Sequence, residues 1–554
     1  MRPRAKRVLL YLALWAVVPL LFLGTIEAGL RLGGFGYRSE PFLEKRVGGT
    51  VYRQLNVAFL HAFMPKPFDP IRLPASETYI PERKGSDTVR VVVLGESAAY
   101  GYVHPEFGLW RFLQIILEKQ YPSLNIEVYP FAFNSMNSHV MRRLVDASEA
   151  LEIDVFVAYM GNNEFKGALL GPLYALSRNG WSADATHRLV SAYLWLSNLR
   201  LWQLMRRLNS FESTLSWNQE AVVSRIDDPH LPGVYSTFRQ NLLHIRAKAA
   251  DSGSKLLLCT IGRNLRDFPP RVSMHDPGLT PASLQEWIRH FETGARLEAA
   301  GAPAEALAAY RAAAALDETN AELQYRMGAC LYALGAYAEA REHFVRSRDY
   351  DLALLTATSE MNRIIREVAG ETPVRPRAPD IQAAGNASLA DVEAVIQAQS
   401  PHGIPGQESF IDHIHFTFAS TYAAAVAVAA SLATIPPFPA TAAARPPGIE
   451  ECRMLLAFSD SDRFRELEDI ANLCASPGAQ RLSEPAAQEK ALLEERLAGQ
   501  DRCLIAAEAC VRALELREDY HIRAKYADCL RQMGRIDEAE AQMALIFEKF
   551  PHRF

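Results

Sequence analysis

The sequence predicts an α/β protein with a parallel sheet, interrupted and followed by α-helical modules, and with one long apolar helix at the N-terminus. Three observations predict it. Short continuous apolar runs alternate with amphipathic stretches between Val91 and Ile261. Gly, Ala and aromatic positions recur with a period of 34 residues between Gly294 and Asp351. A basic tip at Arg2, Arg4, Lys6 and Arg7 precedes an uncharged run from Val8 to Ile26.

The uncharged run comes first in the chain. At about 19 residues it is roughly 28 Å long as a helix, enough to span a bilayer core. Pro19 is tolerated in such a helix. Positive charge ahead of the run keeps that end cytoplasmic and sends the remainder outward. Residues 1–32 are therefore expected to be a cytoplasmic tip and a transmembrane anchor. A cleaved signal needs a small-x-small site, and none convincing follows Leu23; no cysteine there offers a lipid anchor. A buried core helix is the third reading.

Residues 33–85 are rich in Pro and aromatics (Phe63, Pro65, Pro67, Phe68, Pro70) and read as a loosely structured lead-in. Val91–Leu94 is the first core strand. Gly108–Lys119 is an amphipathic helix, with Leu109, Phe112, Leu113 and Ile116 at helical spacing. Ile126–Tyr129 is the second strand, Ser138–Glu149 a helix, and Val155–Met160 the third strand. Lys255–Ile261 is the fourth, after a helix near Phe238–Ala250. Strands that are apolar throughout, alternating with helices, belong to a parallel sheet covered on both faces. Residues 165–235 carry Leu, Trp and Arg at helical spacing and read as a helical insertion, a lid, or an element touching the membrane surface.

The repeat follows. Gly294 and Gly328, Gly301 and Gly335, Ala306 and Ala340, and Tyr310 and Phe344 stand in phase. The pattern resembles tetratricopeptide (TPR) repeats, whose small residues let paired helices approach and whose concave faces receive peptides or partner proteins. The segment Gly534–Ala539 repeats it near the chain end, and a weaker copy begins near Leu497. The expected layout is a first α/β part over residues 86–290, a TPR-like insertion over 291–352, a last α/β part over 353–434, a Pro/Ala linker over 435–449, and a TPR-like helical domain over 450–554.

Composition bounds the partners. Hydrophobic residues make up 49% and the formal net charge is −5, which gives ample core and no basic excess for nucleic acid. The seven cysteines contain no Cys-x-x-Cys pair, so a zinc site is not expected. Cys452 with Cys474 is the disulfide an oxidising compartment would allow.

Four separated segments carry chemistry. Arg90–Gly101 is an apolar strand running into Gly95-Glu96-Ser97. Val155–Glu164 is another, ending in Gly161-Asn162-Asn163-Glu164. Phe410–Phe416 holds Asp412 three residues before His415. The fourth is Glu127–His139. A serine hydroxyl is a poor nucleophile at neutral pH; it needs a base within reach and a carboxylate to orient that base. A turn after a strand would hold Ser97 at the carboxyl end of the sheet, where open α/β sheets place ligands. Taken alone, Asp-His-Ile-His could equally be a loop, a metal-binding pair or surface, and Gly-Asn-Asn a strand-ending turn.

In this order the segments resemble the blocks of the SGNH (GDSL-type) hydrolases, a three-layer α/β fold named for a catalytic Ser, Gly, Asn and His. The resemblance implies Ser97 as nucleophile, His415 as base and Asp412 as its orienter. It implies an oxyanion hole from Ser97, Ala132 and Asn163, with Gly95 and Gly161 in support. Two departures stand out. The first block normally reads Gly-Asp-Ser, and the second normally supplies a glycine where this chain has Ala132. Alanine still offers a backbone amide unless the site needs positive φ. The implied activity is hydrolysis of acetyl or acyl esters through an acyl-serine, with no metal or cofactor. The expected substrate is acylated, with a cell-envelope polysaccharide as one class, outside a bacterial inner membrane. Two alternatives remain open: an O-acyltransferase with a sugar hydroxyl as acceptor, and a non-catalytic TPR scaffold with a decayed site.

Overall fold

The chain opens in one continuous helix, α1 (Pro3–Leu32), which contains the whole apolar run. The computed structural model describes residues 3–63, 78–102, 104–165, 183–208, 231–370, 387–439, 441–474 and 483–553. The side chains of residues 1–14 and 16 lie outside the described ones, and much of the expected membrane span falls there. Among the described residues no helix is long and apolar enough to cross a membrane. Further along α1, Leu20, Leu21 and Phe22 are all about two-thirds exposed.

The lead-in is more ordered than its composition suggested. Strands β1 (Phe42–Val47), β2 (Thr50–Leu55) and β3 (Tyr79–Pro81) form an antiparallel sheet in that order. A short 3-10 turn at Val57–Ala62 is capped by Asn56, whose side chain accepts from the Ala58 amide. That turn drives Phe59, Leu60 and Phe63 into the main core. Pro65, Pro67, Phe68 and Pro70 lie outside the described residues.

The central sheet is built next. β4 (Thr88–Gly95) leads through the single turn α2 (Ser97–Tyr100) to α3 (Leu109–Gln120) and β5 (Asn125–Ala132). After α4 (Ser138–Asp146) and β6 (Val155–Tyr159) come α5 (Ala183–Ser197) and α6 (Arg200–Leu208). Then follow α7 (Leu231–Asp251) and β7 (Lys255–Cys259). The repeat helices are α8 (Pro281–Ala299), α9 (Pro303–Ala314), α10 (Ala321–Ala333) and α11 (Tyr337–Tyr350). The chain returns through α12 (Ser359–Gly370), β8 (Ala387–Ala390), α13 (Val392–Gln399) and α14 (Phe418–Leu432). Strand order is β5-β4-β6-β7-β8, all parallel.

Val91 to Leu94 and Val155 to Tyr159 are buried on both faces, which is why these strands are apolar at every position. Helices α3 and α14 pack together in one layer, and α4, α7 and α12 in another. Strand β8 was absent from the sequence expectation. Its Ala-Ser-Leu-Ala has low strand propensity, and pairing with β7 sets its conformation.

The repeat helices form their own core around Trp287, Tyr310, Leu323 and Phe344. The first begins at Pro281, ahead of the expected boundary at residue 291. Gly294 meets Tyr310 and Gly328 meets Phe344, where an added Cβ would stand 2.5 and 3.0 Å from the ring. The phase of the repeat is thus a packing device, one ring seated on one glycine per helix pair.

The segment 435–449, expected as a linker, is pinned instead. Ile435 and Phe438 are buried in the main core, and the Ala443 amide donates to the Gln120 carbonyl at 2.9 Å. Beyond it lie α15 (Ile449–Leu455), α16 (Asp460–Cys474), α17 (Ser483–Arg496), α18 (Arg502–Leu516), α19 (Tyr520–Gln532) and α20 (Ile536–Lys549). Cys452 is a free thiol buried in the main core, so it is not bridged to Cys474, whose side chain lies outside the described ones.

Candidate active site

Ser97 sits where β4 ends and α2 begins, at the carboxyl end of the sheet. The turn is forced by Gly95: a Cβ there would stand 2.4 Å from the Ala99 Cβ and 2.5 Å from the Tyr159 carbonyl oxygen. The strand can therefore cross tightly beside β6 before the chain reverses into the helix.

His415 arrives from the far end of the domain. Segment 410–416 closes on itself, with a Phe410–Phe416 bridge and the Ile411 amide donating to the His415 carbonyl at 2.7 Å. Asp412 Oδ1 accepts from the amides of Ile414 and His415, both at 2.8 Å. Its Oδ2 lies 2.6 Å from His415 Nδ1. His415 Nε2 lies 2.8 Å from Ser97 Oγ. With Nδ1–H donating to the carboxylate, Nε2 accepts from the serine hydroxyl. All three side chains are buried. Burial alone would raise the Asp412 carboxyl, but the two neighbouring imidazoles outweigh it and hold the acid well below its ordinary range.

The neighbouring His413 stacks its ring on Phe268 at 5.0 Å, with its Nδ1 3.5 Å from the same Asp412 Oδ2. Among the described residues no group of three or more His, Cys, Asp or Glu has metal-binding geometry.

The residues expected around the oxyanion fall at neighbouring strand ends. Ala132 closes β5 in register with Gly95 and is fully buried. It is not among the positive-φ residues; in this loop Ser135 takes that conformation, at φ 60°. Alanine at position 132 therefore carries no backbone strain. Gly161 opens the turn after β6 at φ 149°. Asn163 Nδ2 donates to the Met136 carbonyl at 3.1 Å, which ties the turn after β6 to the loop after β5.

In the sequence Glu96 stands out only as a departure from Gly-Asp-Ser. Its carboxylate accepts from the backbone amides of Gly161, Asn162 and Asn163 at 3.1, 2.9 and 3.1 Å. The residue before the serine thus holds the turn that presents Asn163. Behind it, Glu164 accepts from the amide and hydroxyl of Ser138, and the Ser138 hydroxyl accepts from Asn241. Burial and the charge of Glu164 push Glu96 up to about 8, against the pull of its three amides. Burial pushes Glu164 up to about 7. Backbone donors leave no trace in sequence; the only available signal was two glutamates, each beside an otherwise uncharged strand end.

Two cavities flank the loop after Ser97. The smaller, about 20 Å³, is lined by Tyr102, Phe107, Ile411, His415 and Phe458. Tyr102 is 41% exposed and lies over the imidazole, its ring centroid 4.6 Å from that of His415. The larger, about 880 Å³, lies between α3 and β5 on one side and α16, α18 and α19 on the other. Tyr100, Pro105 and Glu106 line the larger cavity, so the two share one loop as a wall.

Comparison with known proteins addresses the repeat. A family model described as tetratricopeptide repeat matches residues 297–351, from the end of α8 to just past α11. No curated protein and no solved structure matches the chain.

Proposed function

We propose that this chain is a membrane-anchored serine ester hydrolase of SGNH type, acting on acetyl or acyl esters through an acyl-serine. The observation that carries the reading is the hydrogen-bonded line from Ser97 Oγ through His415 to Asp412, at 2.8 and 2.6 Å. This is the order a general base needs to activate a hydroxyl.

In this mechanism His415 Nε2 takes the Ser97 proton as Oγ bonds to the acyl carbon. The carbonyl becomes an oxyanion. The amides of Ser97 and Ala132 and the side chain of Asn163 stabilise it. The Asn163 Nδ2 carries two hydrogens, and the bond to Met136 uses one. Each such donor is worth about 3–4 kcal/mol in the transition state. Imidazolium then protonates the leaving alcohol, and the acyl–serine bond is cleaved by water that gives its proton to the same nitrogen, which passes it to Ser97 Oγ as the carboxylic acid leaves. The small cavity beside His415 is walled by Tyr102, Ile411 and Phe458, which favours a short acyl chain such as acetyl over a long one. The larger cavity across the shared loop gives the unreacting part of a polymeric substrate, such as an envelope polysaccharide, a place to lie. The same residues would serve an O-acyltransferase if a sugar hydroxyl replaced water.

The basic tip and apolar run of α1 support anchoring in a bacterial inner membrane, with the bulk of the chain outside the cytoplasm. The TPR face supports a protein partner. Reaction of the full chain with a fluorophosphonate probe tests the reading. Labelling that disappears in Ser97→Ala is the expected result. Absence of labelling in the wild type, or labelling that persists in Ser97→Ala, would overturn it and return the scaffold reading.

A further inference from the structure

Many of the exposed large apolar side chains sit on α1, α5 and α6. On α5, Leu189 and Trp195 are 39% and 64% exposed; on α6, Met205 and Leu208 are 51% and 73% exposed. A surface of this kind on neighbouring helices marks an interaction site rather than scattered exposure. Basic side chains accompany it. Arg188 stands seven residues before Trp195, on the same face of α5, and is exposed. Helix α6 reads Arg-Leu-Trp-Gln-Leu-Met-Arg-Arg-Leu, with three arginines and no acid.

This pair of helices is fixed to the foot of α1. The Glu27 carboxylate accepts from the amides of Arg200 and Leu201, the first residues of α6, at 3.0 and 2.8 Å. Arg31 donates to the Asn198 carbonyl between the two helices at 2.9 Å. Gln203 exchanges hydrogen bonds with both backbone groups of Tyr37, at 2.9 and 3.1 Å. The clamp sits at the last turns of α1, just past its exposed apolar stretch.

We infer that α5 and α6 lie on an anionic lipid surface and hold the α/β domain at the bilayer. The inference rests on reading α1 as the membrane anchor. Three observations favour lipid as the occupant: continuity with the apolar surface of α1, the three arginines of α6 with no acid in that helix, and an exposed tryptophan, the side chain that settles at headgroup depth. Leu189, Trp195, Met205 and Leu208 enter the acyl boundary, while Arg188 and Arg207 meet lipid phosphates.

The full chain reconstituted in phosphatidylcholine–phosphatidylglycerol vesicles tests this. Tryptophan emission is compared between ordinary lipids and lipids brominated near the glycerol end of the acyl chain. The difference between wild type and Trp195→Phe isolates the Trp195 signal, and Trp15→Phe isolates that of α1. The expected result is bromolipid quenching of both. Met205→Ser with Leu208→Ser should lower the Trp195 quenching about twofold, as should replacing phosphatidylglycerol by phosphatidylcholine. These side chains are exposed, so the variants should fold. Quenching of Trp15 without quenching of Trp195 overturns the docking and leaves the anchor. Quenching of Trp195 alone overturns the anchor and keeps the surface contact; quenching of neither overturns both.

Discussion

His413 and His415 are separated by one residue, yet their rings stand at 88° with centroids 6.2 Å apart. One faces Ser97; the other stacks on Phe268. His415→Ala should therefore lower turnover of short p-nitrophenyl esters by about 10³-fold or more. His413→Ala loses the stacking and a 3.5 Å approach to Asp412, and should keep most activity. Steady-state kinetics of both variants check this; an essential His413 beside a dispensable His415 would refute the assignment.

Glu96 is a positioning residue, and its length matters. Glu96→Asp gives the Gly-Asp-Ser of the pattern this segment resembles but withdraws the carboxylate by one methylene from three amides it now reaches. The turn carrying Asn163 should loosen. We expect kcat to fall roughly 10- to 100-fold, short of the full loss of an oxyanion donor, with KM little changed. A fall in kcat/KM through KM alone would assign Glu96 to substrate binding instead.

The buried Glu96–Glu164 pair gives a sign for pH dependence. Both carboxyls are raised, to about 8 and about 7, so the fold holds protons that the unfolded chain releases near pH 4.5. The stability they contribute is fully present below that value and is lost as pH rises through about 7 and 8. The melting temperature should fall across this window. Glu164→Gln should flatten the fall, by a few degrees at the alkaline end. Parallel melting curves for wild type and variant at every pH would contradict it.

Arg111 of α3 and Asp519 at the start of α19 form two hydrogen bonds of 2.8 and 2.9 Å, with both side chains buried. Burial alone would raise Asp519; Arg111 and Arg517 outweigh it and hold the acid well below its ordinary range. Arg111→Ala leaves that carboxylate buried with one partner fewer, and should cost about 3–5 kcal/mol. Because the acid is depressed, the pair's contribution is present above about pH 4 and is lost as pH falls further. Urea unfolding at pH 7 and pH 3 should show a large difference between wild type and variant at the first and one smaller by only about 1 kcal/mol at the second, because the depressed acid is still ionised in the fold.

Much of this was legible in the residues because the relevant groups end apolar runs. Ser97 and Asn163 follow buried strands, and Asp412 and His415 share one short segment. Strand β8 was not legible, since Ala and Ser carry no strand signal and the neighbouring strand decides. The sheet before residue 85 was hidden by Glu44, Lys45 and Arg46 within β1, charges an outer sheet tolerates. The segment after residue 435 looked free by its Pro and Ala content; Ile435 and Phe438, two buried side chains, pin it. The work of Glu96 was invisible because its partners are main-chain amides.

The bond between Ser97 and His415 spans 318 positions of chain, and the tetratricopeptide helices occupy part of that interval. A ribosome adding roughly 5–20 residues per second finishes His415 about 15–60 s after Ser97. The intervening helices make mostly local contacts and can fold within that delay. A nascent or prematurely terminated chain therefore carries a serine with no base beside it. Under the proposed mechanism, the nucleophile would be unable to react until synthesis has passed residue 415.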